Sequence, residues 1–334
     1  MGVSLVIAGQ LRRQYLLPPA GKPLLDTPGG NLLYAAAGAR LWTNSVSLLA
    51  RVGEDYPTEW LRQFRQRGID TRGVKILPSP LDLRSFLVYT EDHTVQRSNP
   101  VSHFARLGLP FPKGLLGYQA PPEEQEDRLR ARPDSPKLSD IPIEYRAAKA
   151  VHLAPLDLLT HSQLSAAFRH SGSSYVTMDP SPGYMNGKYL DDLRSLLQGL
   201  TAFLPSEEEI RSLFWGRTND LWEMAETLAS FGCDIIVIKR GARGQCVYDR
   251  VSNRKWEIPA YPANFVDPTG AGDAFCGGFL AGYAATLDPL QAALYGNISA
   301  SFAIEGSGPF YLLDSMPGLA QARLASLADL VRPA

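Results

Sequence analysis

The segment Phe265-Val-Asp-Pro-Thr-Gly-Ala-Gly-Asp-Ala-Phe275 decides how this sequence is interpreted. Its two glycines flank one alanine at the start of an apolar helical run. Glycines at a loop-to-helix junction let backbone N–H groups converge on an anion, and a helix N-terminus adds about half a positive charge. Asp273 would lie in the first helical turn, where an ionised carboxylate can accept a hydroxyl proton. The segment therefore predicts a site for phosphoryl transfer with Asp273 as general base.

A duller interpretation of the same segment is a plain helix start, because acids favour helix N-termini for dipole reasons alone. The charge-free run Ala274 to Leu287 that follows is too short to span a bilayer, which takes about 20 residues. It predicts a helix buried in a soluble core. The catalytic interpretation of Asp273 therefore depends on the motifs found elsewhere in the chain.

Composition excludes several classes of protein. The chain has 334 residues, of which 45% are hydrophobic and 20% charged, which suits a single large α/β domain over residues 1–334. A net charge of −1 argues against a nucleic-acid or membrane partner. The three cysteines form no C-x-x-C pair, so neither a disulfide framework nor a zinc site is indicated, and a reduced, cytoplasmic setting fits best.

Short β-branched runs alternate with amphipathic stretches along the chain. This alternation predicts parallel βαβ units with helices on both faces of the sheet. Two of the helices are predicted at Thr58–Arg67 and Ser206–Trp215. The predicted strands are Ser4–Ala8, Ser45–Ala50, Arg84–Tyr89, Ala150–Leu153, Tyr175–Met178, Ala202–Leu204, Ile235–Lys239 and Gln245–Tyr248.

Two regions break this rhythm. Residues 72–104 suggest short strands joined by turns without an intervening helix, which predicts a small β element that projects from the main sheet. Residues 105–140 are rich in proline and charge, and this composition predicts an extended surface insertion that is partly mobile.

Several other segments share the order in which known motifs of one enzyme family occur. They are Gly29-Gly30 with Ala35-Ala-Ala-Gly-Ala39, Arg51-Val-Gly-Glu-Asp55, Gly68-Ile-Asp-Thr71 with Gly73-Val74, Met178-Asp-Pro180, Phe203-Leu-Pro-Ser-Glu-Glu-Glu209, Val237-Ile-Lys-Arg-Gly-Ala-Arg-Gly244 and Asp267–Asp273. Through them the sequence resembles the ribokinase-like (PfkB) family of carbohydrate and nucleoside kinases. The resemblance implies a three-layer α/β/α sandwich with a mostly parallel sheet and a small β lid.

The resemblance also implies roles for individual residues in an ATP-dependent transfer to an alcohol group of a sugar, polyol or nucleoside. Asp273 would be the base, the amides of Gly270, Ala271 and Gly272 would form the anion hole, and Glu209 would hold Mg²⁺ through water. The residues implied at the nucleotide are Ser206, Lys239, Gly241, Gly244, Thr269 and Asn297. The residues implied at the substrate are Gln14, Gly29, Gly30, Asn31 and Tyr34. The lid would close over the substrate and, as in many members, could pair across a homodimer. A requirement for a monovalent cation is left open.

The sequence departs from the family's pattern at three of these positions. Ser206 stands where an asparagine is usual, which affects the metal and phosphate network. Tyr34 replaces an asparagine at the substrate end. Gln14 replaces an aspartate that grips two sugar hydroxyls, with Arg12 and Arg13 before it. Because a glutamine grips a diol less strongly than a carboxylate and arginines favour anions, an aromatic or anionic substrate enters consideration. Asn31 is a candidate for the missing amide.

Two alternatives remain open at this point. The changes at Gln14, Tyr34 and Ser206 would also suit a protein of the same fold that binds a metabolite without transferring phosphate. A kinase of a hydroxymethyl pyrimidine or a vitamin-like ring shares the G-x-G-D logic, but such relatives usually lack a β lid.

Overall fold

The apolar runs of the sequence form the strands of the fold. The structure is a computed structural model that describes residues 5–90, 94–121, 126–316, 318–328 and 332–333. The strands of this part of the chain are β1 (Leu5–Ala8), β2 (Arg12–Leu17), β3 (Leu24–Gly29), β4 (Val46–Val52), β5 (Ile69–Ile76), β6 (Arg84–Tyr89), β7 (Val95–Gln96), β8 (Ala150–Leu153), β9 (Tyr175–Met178), β10 (Ala202–Phe203), β11 (Ile235–Lys239), β12 (Gln245–Asp249), β13 (Arg254–Ile258) and β14 (Arg332–Pro333).

Helices separate most of these strands. The α-helices in the described residues are α1 (Asn31–Arg40), α2 (Thr58–Gln66), α3 (Pro100–Arg106), α4 (Ile143–Arg146), α5 (Leu158–His170), α6 (Leu190–Leu197), α7 (Glu207–Leu213), α8 (Leu221–Ser230), α9 (Ala271–Thr286), α10 (Pro289–Ala303), α11 (Pro309–Leu313) and α12 (Leu319–Ala328). Short 3₁₀ turns lie at Lys113–Leu115, Leu138–Asp140, Pro182–Tyr184, Gly187–Tyr189 and Gly241–Arg243.

The main sheet has the strand order β14-β13-β12-β11-β10-β9-β8-β1-β4-β5. Pairing is parallel from β5 to β11 and antiparallel from β11 to β14. Over both sheets, four strands have the bounds that the sequence predicted. The predicted fold class is confirmed. Because parallel strands end at the same edge of the sheet, the residues that follow β1, β9, β10 and β11 lie close together.

Alternate residues of the strands pack against different helix layers. Val6 and Ala8 of β1 belong to a core that includes residues of α5, α6, α7 and α8. Leu5 and Ile7 face the opposite side, where α1 and α9 contribute to the core. The period-2 pattern of a strand buried on both faces therefore produces three layers.

Helices α1 and α9 lie very close to each other. A Cβ atom at Gly277 would lie 1.8 Å from the carbonyl oxygen of Ala35, so this contact requires glycine. Both helices begin at the same end of the molecule, after Gly30 and Gly270, which have φ values of 100° and 75°. The close packing fixes these two N-termini beside each other.

A second, small sheet has the strand order β3-β2-β6-β7. The span predicted for the β element, 72–104, is only partly correct. Residues 72–76 belong to β5 of the main sheet and residues 100–106 form α3, while half of the small sheet comes from residues 12–29. The sequence did not indicate β2 and β3 because they carry charged and proline residues, and β2 pairs with the distant β6. This sheet of four strands counts against the alternative that the chain is a kinase of a hydroxymethyl pyrimidine or a vitamin-like ring, since those kinases usually lack a β lid.

The small sheet has two different faces. One face carries a separate apolar cluster, which is formed by Tyr15, Leu17, Phe86 and Val88 and is completed by residues from 104 to 118. Arg84 adds hydrogen bonds to the carbonyl oxygens of Gly114 and Leu116 at 2.9 and 3.0 Å. Residues 100–118 therefore cover this face. A homodimer that uses the small sheet would need another of its surfaces.

The region 105–140 is not an extended surface insertion over its whole length. Besides the covering segment, Ser135 is fully buried and its hydroxyl donates to Asp157 at 2.5 Å. Asp140 accepts from Arg51 at 2.5 Å. Buried polar contacts hold this proline-rich chain to the main body, which composition alone could not reveal. Within the described residues, no helix is long and apolar enough to cross a membrane.

The covering segment can be tested at Phe104. The Phe104 side chain is 1% exposed and its ring lies beside that of Phe86 in a tilted arrangement. Phe104→Ala should therefore leave a cavity that lowers the unfolding free energy by about 3 kcal/mol. The measurement is denaturant unfolding together with hydrogen exchange of the β6 amides. Val101→Ala on the same helix is the control, since Val101 is 60% exposed. Equal stability of the two variants would contradict the assigned cover.

Candidate active site

The loop before α9 makes a tight turn whose backbone conformation depends on a glycine. Asp267 is fully buried and accepts the N–H of Thr269 at 2.9 Å, and Gly270 adopts a left-handed conformation that glycine tolerates. The N–H of Ala271 donates to the carbonyl oxygen of Pro268 at 3.2 Å. Of the three predicted anion-hole amides, that of Ala271 is thus already engaged, and those of Gly270 and Gly272 are better placed for a ligand.

Asp273 lies in the first turn of α9, as predicted. Burial raises the pKa of its carboxyl to about 6; Lys239 opposes this shift and Glu209 adds to it. A carboxylate with such a pKa is ionised at neutral pH but remains a better proton acceptor than an ordinary aspartate. Asp273 lines the same cleft as Gln14 and Tyr34.

A buried ion pair lies beneath this turn. The ammonium of Lys239, at the end of β11, donates to Asp179 at 2.6 Å, and a Cβ atom at Gly272 would lie 3.7 Å from that ammonium. Burial alone would lower the pKa of Lys239, but its interactions with Asp179 and other nearby groups together outweigh burial, so the pKa is raised. Lys239 is therefore a fixed positive charge under the anion loop rather than a side chain that lies freely along a nucleotide.

Ser206 and Glu209 form a capping box at the start of α7. The Ser206 N–H and hydroxyl donate to Glu209 Oε2 at 2.7 and 2.8 Å, and the Glu209 N–H donates to the Ser206 hydroxyl at 3.2 Å. Burial raises the pKa of Glu209 to about 7, with a further contribution from Asp179. Serine thus has a local reason to stand where the family usually has asparagine: it orients Glu209 towards the cleft.

Two of the six predicted nucleotide residues, Ser206 and Thr269, line other cavities, and the remaining four meet at one cavity of about 250 Å³. It is lined by Lys239, Gly241, Gly244 and Asn297, together with largely apolar neighbours. The side-chain amide of Asn297 donates to Gln245 and to the Pro259 carbonyl, and its oxygen accepts the Tyr261 N–H at 2.9 Å. Asn297 therefore shapes the cavity wall by holding residues 259–261 in place.

At the predicted substrate end, Tyr34 and Gln14 act as a pair. A Cβ atom at Gly270 would lie 2.1 Å from the Tyr34 ring, so the ring packs directly on the anion loop. Burial raises the pKa of Tyr34 well above its usual value, and its hydroxyl donates to Gln14 Oε1 at 3.3 Å. Gln14 Nε2 is buried and has no partner among the described residues, which leaves a donor for a ligand.

The other polar residues at this end are engaged within the protein. Asn31 accepts the Gln10 N–H at 2.8 Å and donates to the Pro155 carbonyl at 2.7 Å. It lines the cleft, but half of its hydrogen-bonding capacity is used within the protein. Arg12 pairs with Asp134 at 2.8 Å and Arg13 pairs with Asp26 at 2.7 Å, so neither is a free anion receptor. Gly29 lies against Gln14, where a Cβ atom would clash at 1.9 Å.

Sequence reasoning missed three contributors to the cleft. Asp179 was recognised only as part of Met178-Asp-Pro180, although an acid directly after a buried strand is a usable signal. Tyr89 of β6 hydrogen-bonds Thr269 at 2.8 Å, which ties the small sheet to the anion loop. Arg97 lines two cavities of the cleft. Neither Tyr89 nor Arg97 had a sequence signal, because their positions depend on how the small sheet folds over.

Comparison with known proteins gives concordant results. The model of the pfkB family of carbohydrate kinases matches residues 127–315. A cytidine kinase of Thermococcus kodakarensis is 32% identical over 285 residues, which cover 84% of this chain and 88% of that protein. A 2-dehydro-3-deoxygluconokinase of Thermoproteus tenax is 28% identical over 77% of this chain and 71% of that protein.

Solved structures share the fold at lower identity. An Escherichia coli protein assigned as ribokinase II, in complex with ATP and Mg²⁺, superposes with a TM-score of 0.72. The match covers 97% of this chain and all of that chain at 16% sequence identity. At this sequence identity the structural similarity supports only the assignment of the fold.

The raised pKa of Glu209 has a consequence for stability. The folded protein keeps this proton to about pH 7, whereas an unfolded glutamate loses it near pH 4.3. Stability therefore falls as pH rises through this window. At pH 8, Glu209→Gln should raise the unfolding free energy by about 1–2 kcal/mol, since glutamine keeps the capping-box hydrogen bond.

Thermal unfolding at pH 5 and pH 8 measures this effect. The gain should shrink towards pH 5, where the folded wild type holds the proton. Glu208→Gln is the matched control, because Glu208 is the exposed neighbour on the same turn. If Glu209→Gln destabilises the protein at pH 8, or if both variants behave alike, the conclusion that burial raises the pKa of Glu209 is wrong.

Proposed function

Because the chain belongs to the PfkB family of carbohydrate kinases, we propose that it transfers the γ-phosphate of ATP to the primary hydroxyl group of a nucleoside. The chain is a small-molecule kinase, and its named relatives act on sugars or nucleosides. The choice of a nucleoside, and the roles of individual residues, are the finer parts of this proposal.

Asp273 carries the chemical step. Its carboxylate accepts the hydroxyl proton while the acceptor oxygen bonds to the γ-phosphorus and the bond to the β-phosphate oxygen breaks. ADP leaves, and the proton passes from Asp273 to solvent. The pKa of about 6 suits this role, since the group is ionised at pH 7 yet basic enough to take a proton. The observation that supports it is the position of Asp273 between the substrate cleft and the anion loop.

The phosphoryl group would be held by the N-terminus of α9. The amides of Gly270 and Gly272 and the helix dipole favour negative charge there. Lys239 lies beneath the turn and offsets part of the charge of Asp179, Glu209 and the incoming phosphates. These fixed charges need no rearrangement during transfer, which is how such sites stabilise a transition state.

Magnesium would arrive with the nucleotide. Among the residues that the structure describes, no group of three acids, histidines or cysteines could hold a metal by itself. Glu209 has an elevated pKa beside Asp179, so a nearby cation would relieve repulsion, and its position in the phosphate-side cavity with Ser206 fits a contact through water. When bound, Mg²⁺ would neutralise charge on the β- and γ-phosphates. The adenosine part would occupy the apolar cavity beside Asn297 and Gly244.

The substrate cleft supports a nucleoside. Its walls combine two tyrosines, Tyr34 and Tyr89, with the aliphatic Leu87 and Val95, and such surfaces suit a flat ring. The carboxylate that would grip a simple sugar diol is absent, and Gln14 offers one unsatisfied donor in its place. The cytidine kinase relative matches along most of its length, which favours a pyrimidine nucleoside within this class.

A sugar acid is the second candidate. Arg97 lines the cleft as a positively charged residue, and one relative is a 2-dehydro-3-deoxygluconokinase. A small sugar acid would leave the tyrosine walls without a flat partner, which makes it the weaker choice.

A substrate panel separates these candidates. ADP formation should be measured with Mg-ATP and pyrimidine nucleosides, purine nucleosides, neutral sugars and aldonic sugar acids. We expect kcat/KM for a pyrimidine nucleoside to exceed that for any free sugar at least tenfold. A preference for sugar acids would replace the nucleoside assignment, and binding without any ADP formation would favour a non-catalytic role.

The role of Asp273 is testable with Asp273→Asn. Loss of the base should lower kcat by about 10³-fold, while calorimetry shows nearly unchanged ATP affinity because the anion loop remains. Wild-type kcat/KM should fall tenfold per pH unit below about pH 6, and the variant should lack this acid limb. Near-normal turnover of the variant with the best acceptor would show that another group removes the proton.

A further inference from the structure

The positive charges around the cleft are unequally committed. Four basic side chains line its three cavities in the described part of the chain. Arg12 pairs with Asp134 at 2.8 Å, Lys239 pairs with Asp179 at 2.6 Å, and Arg240 lies 3.6 Å from both Glu207 and Glu257. Arg97 is exposed and has no carboxylate partner among the described residues. It is the one basic side chain of the cleft whose charge is not already answered by an acid.

Arg97 also occupies the boundary between two functions. It lines the phosphate-side cavity with Ser206 and Glu209, and it lines the substrate cleft with Asp273 and Thr269. A group that passes from ATP to the acceptor must cross this boundary. The other charged residues that line the phosphate-side cavity are Glu208 and Glu209, which repel phosphate. Among the described residues, Arg97 is therefore the positive charge of this cavity.

The small sheet gives Arg97 a defined place. Arg97 directly follows β7, which pairs with β6 through Val88 and Tyr89. Tyr89 hydrogen-bonds Thr269 of the anion loop at 2.8 Å. The far side of β6 is fixed by the cluster around Phe86 and Phe104. Strand pairing, the Tyr89–Thr269 hydrogen bond and the covering segment therefore position the Arg97 backbone over the cleft.

We infer that Arg97 is a further catalytic residue, which contacts the phosphoryl group during its transfer from ATP to the acceptor. The inference rests on the proposed kinase reaction. An arginine can bind two phosphoryl oxygens at once, and a donor placed where negative charge develops stabilises the transition state. The anion loop contacts the phosphoryl group from the helix side and Arg97 contacts it from the small sheet, so transfer occurs between two positively polarised surfaces.

The test uses the full chain and the best acceptor from the substrate panel. Arg97→Met should lower kcat about 100-fold or more, with KM for ATP and for the acceptor changed less than about threefold. Arg97→Lys should keep part of the activity, because it restores charge without the planar fork. Added guanidinium ion should partly rescue Arg97→Met. Lys113→Met is the control: it removes an exposed positive charge from the covering segment and should leave kcat unchanged.

A second measurement needs no turnover. ADP with aluminium fluoride and Mg²⁺ mimics the phosphoryl group in transit, and transition-state mimics report on contacts made there. Calorimetry should show at least tenfold weaker binding of this complex to Arg97→Met than to wild type, with equal binding of ADP alone. Equal binding of both ligands to both proteins would overturn the inference.

Other outcomes separate the two proposals. If the wild type phosphorylates an acceptor and Arg97→Met keeps its kcat, the role of Arg97 is wrong and the kinase assignment stands. If only KM for the acceptor rises, Arg97 binds an anionic part of the substrate, and the phosphoryl contact is again wrong. If no acceptor is phosphorylated while aluminium fluoride still distinguishes the variants, the substrate assignment fails and the Arg97 contact stands.

Discussion

Much of this molecule depends on one buried ion pair, between Lys239 and Asp179. Lys239 is the last residue of β11 and Asp179 directly follows β9, with β10 between the two strands, and both side chains are almost wholly enclosed. Breaking such a pair by removing one partner leaves an uncompensated buried charge, which costs several kcal/mol. The charges of Asp179, Glu209 and Asp273 influence one another here, and among the described residues Lys239 is the positive charge that opposes them. Burial, with a smaller contribution from the neighbouring acids, keeps the pKa values of Asp273 and Glu209 high.

The geometry above the ion pair comes from helix packing. Gly277 lets α9 approach α1 until the backbones touch, and this approach brings Tyr34 onto Gly270. The substrate side and the phosphate side therefore share one wall. A larger side chain at Gly277 would separate the two helices and move the proton acceptor relative to both ligands. Rates of oriented reactions are sensitive to displacements of about 1 Å, so this contact links the core to the chemistry.

The sequence allowed the local geometry around Asp273 to be predicted better than the geometry around Gln14 and Tyr34. Asp273 and the glycines around it occupy consecutive positions, and their geometry follows from one turn and one helix. Strands with apolar runs, such as Ala150–Leu153, were placed with their correct bounds for the same local reason. Strands β2 and β3 were missed because their charged and proline-containing sequences become strands only through pairing, of β2 with the distant β6 and of β3 with β2. Similarly, the engagement of Asn31 and Asn297 with the protein's own backbone depends on residues more than thirty positions away.

The two faces of the small sheet do different things, since one lines the cleft and the other packs into a separate apolar cluster. Its substrate-facing residues alternate with residues of a separate apolar cluster, so a change such as Gln14 in place of an acid does not disturb that cluster. Residues 100–118 supply the cover for this cluster from the same chain, and Asp134 holds Arg12 and Gln10 from the region that follows. The segment that composition marked as an insertion is thus part of the framework that shapes the substrate cleft. The small sheet thus lines the cleft, and the hydrogen bond between Tyr89 and Thr269 joins it to the anion loop.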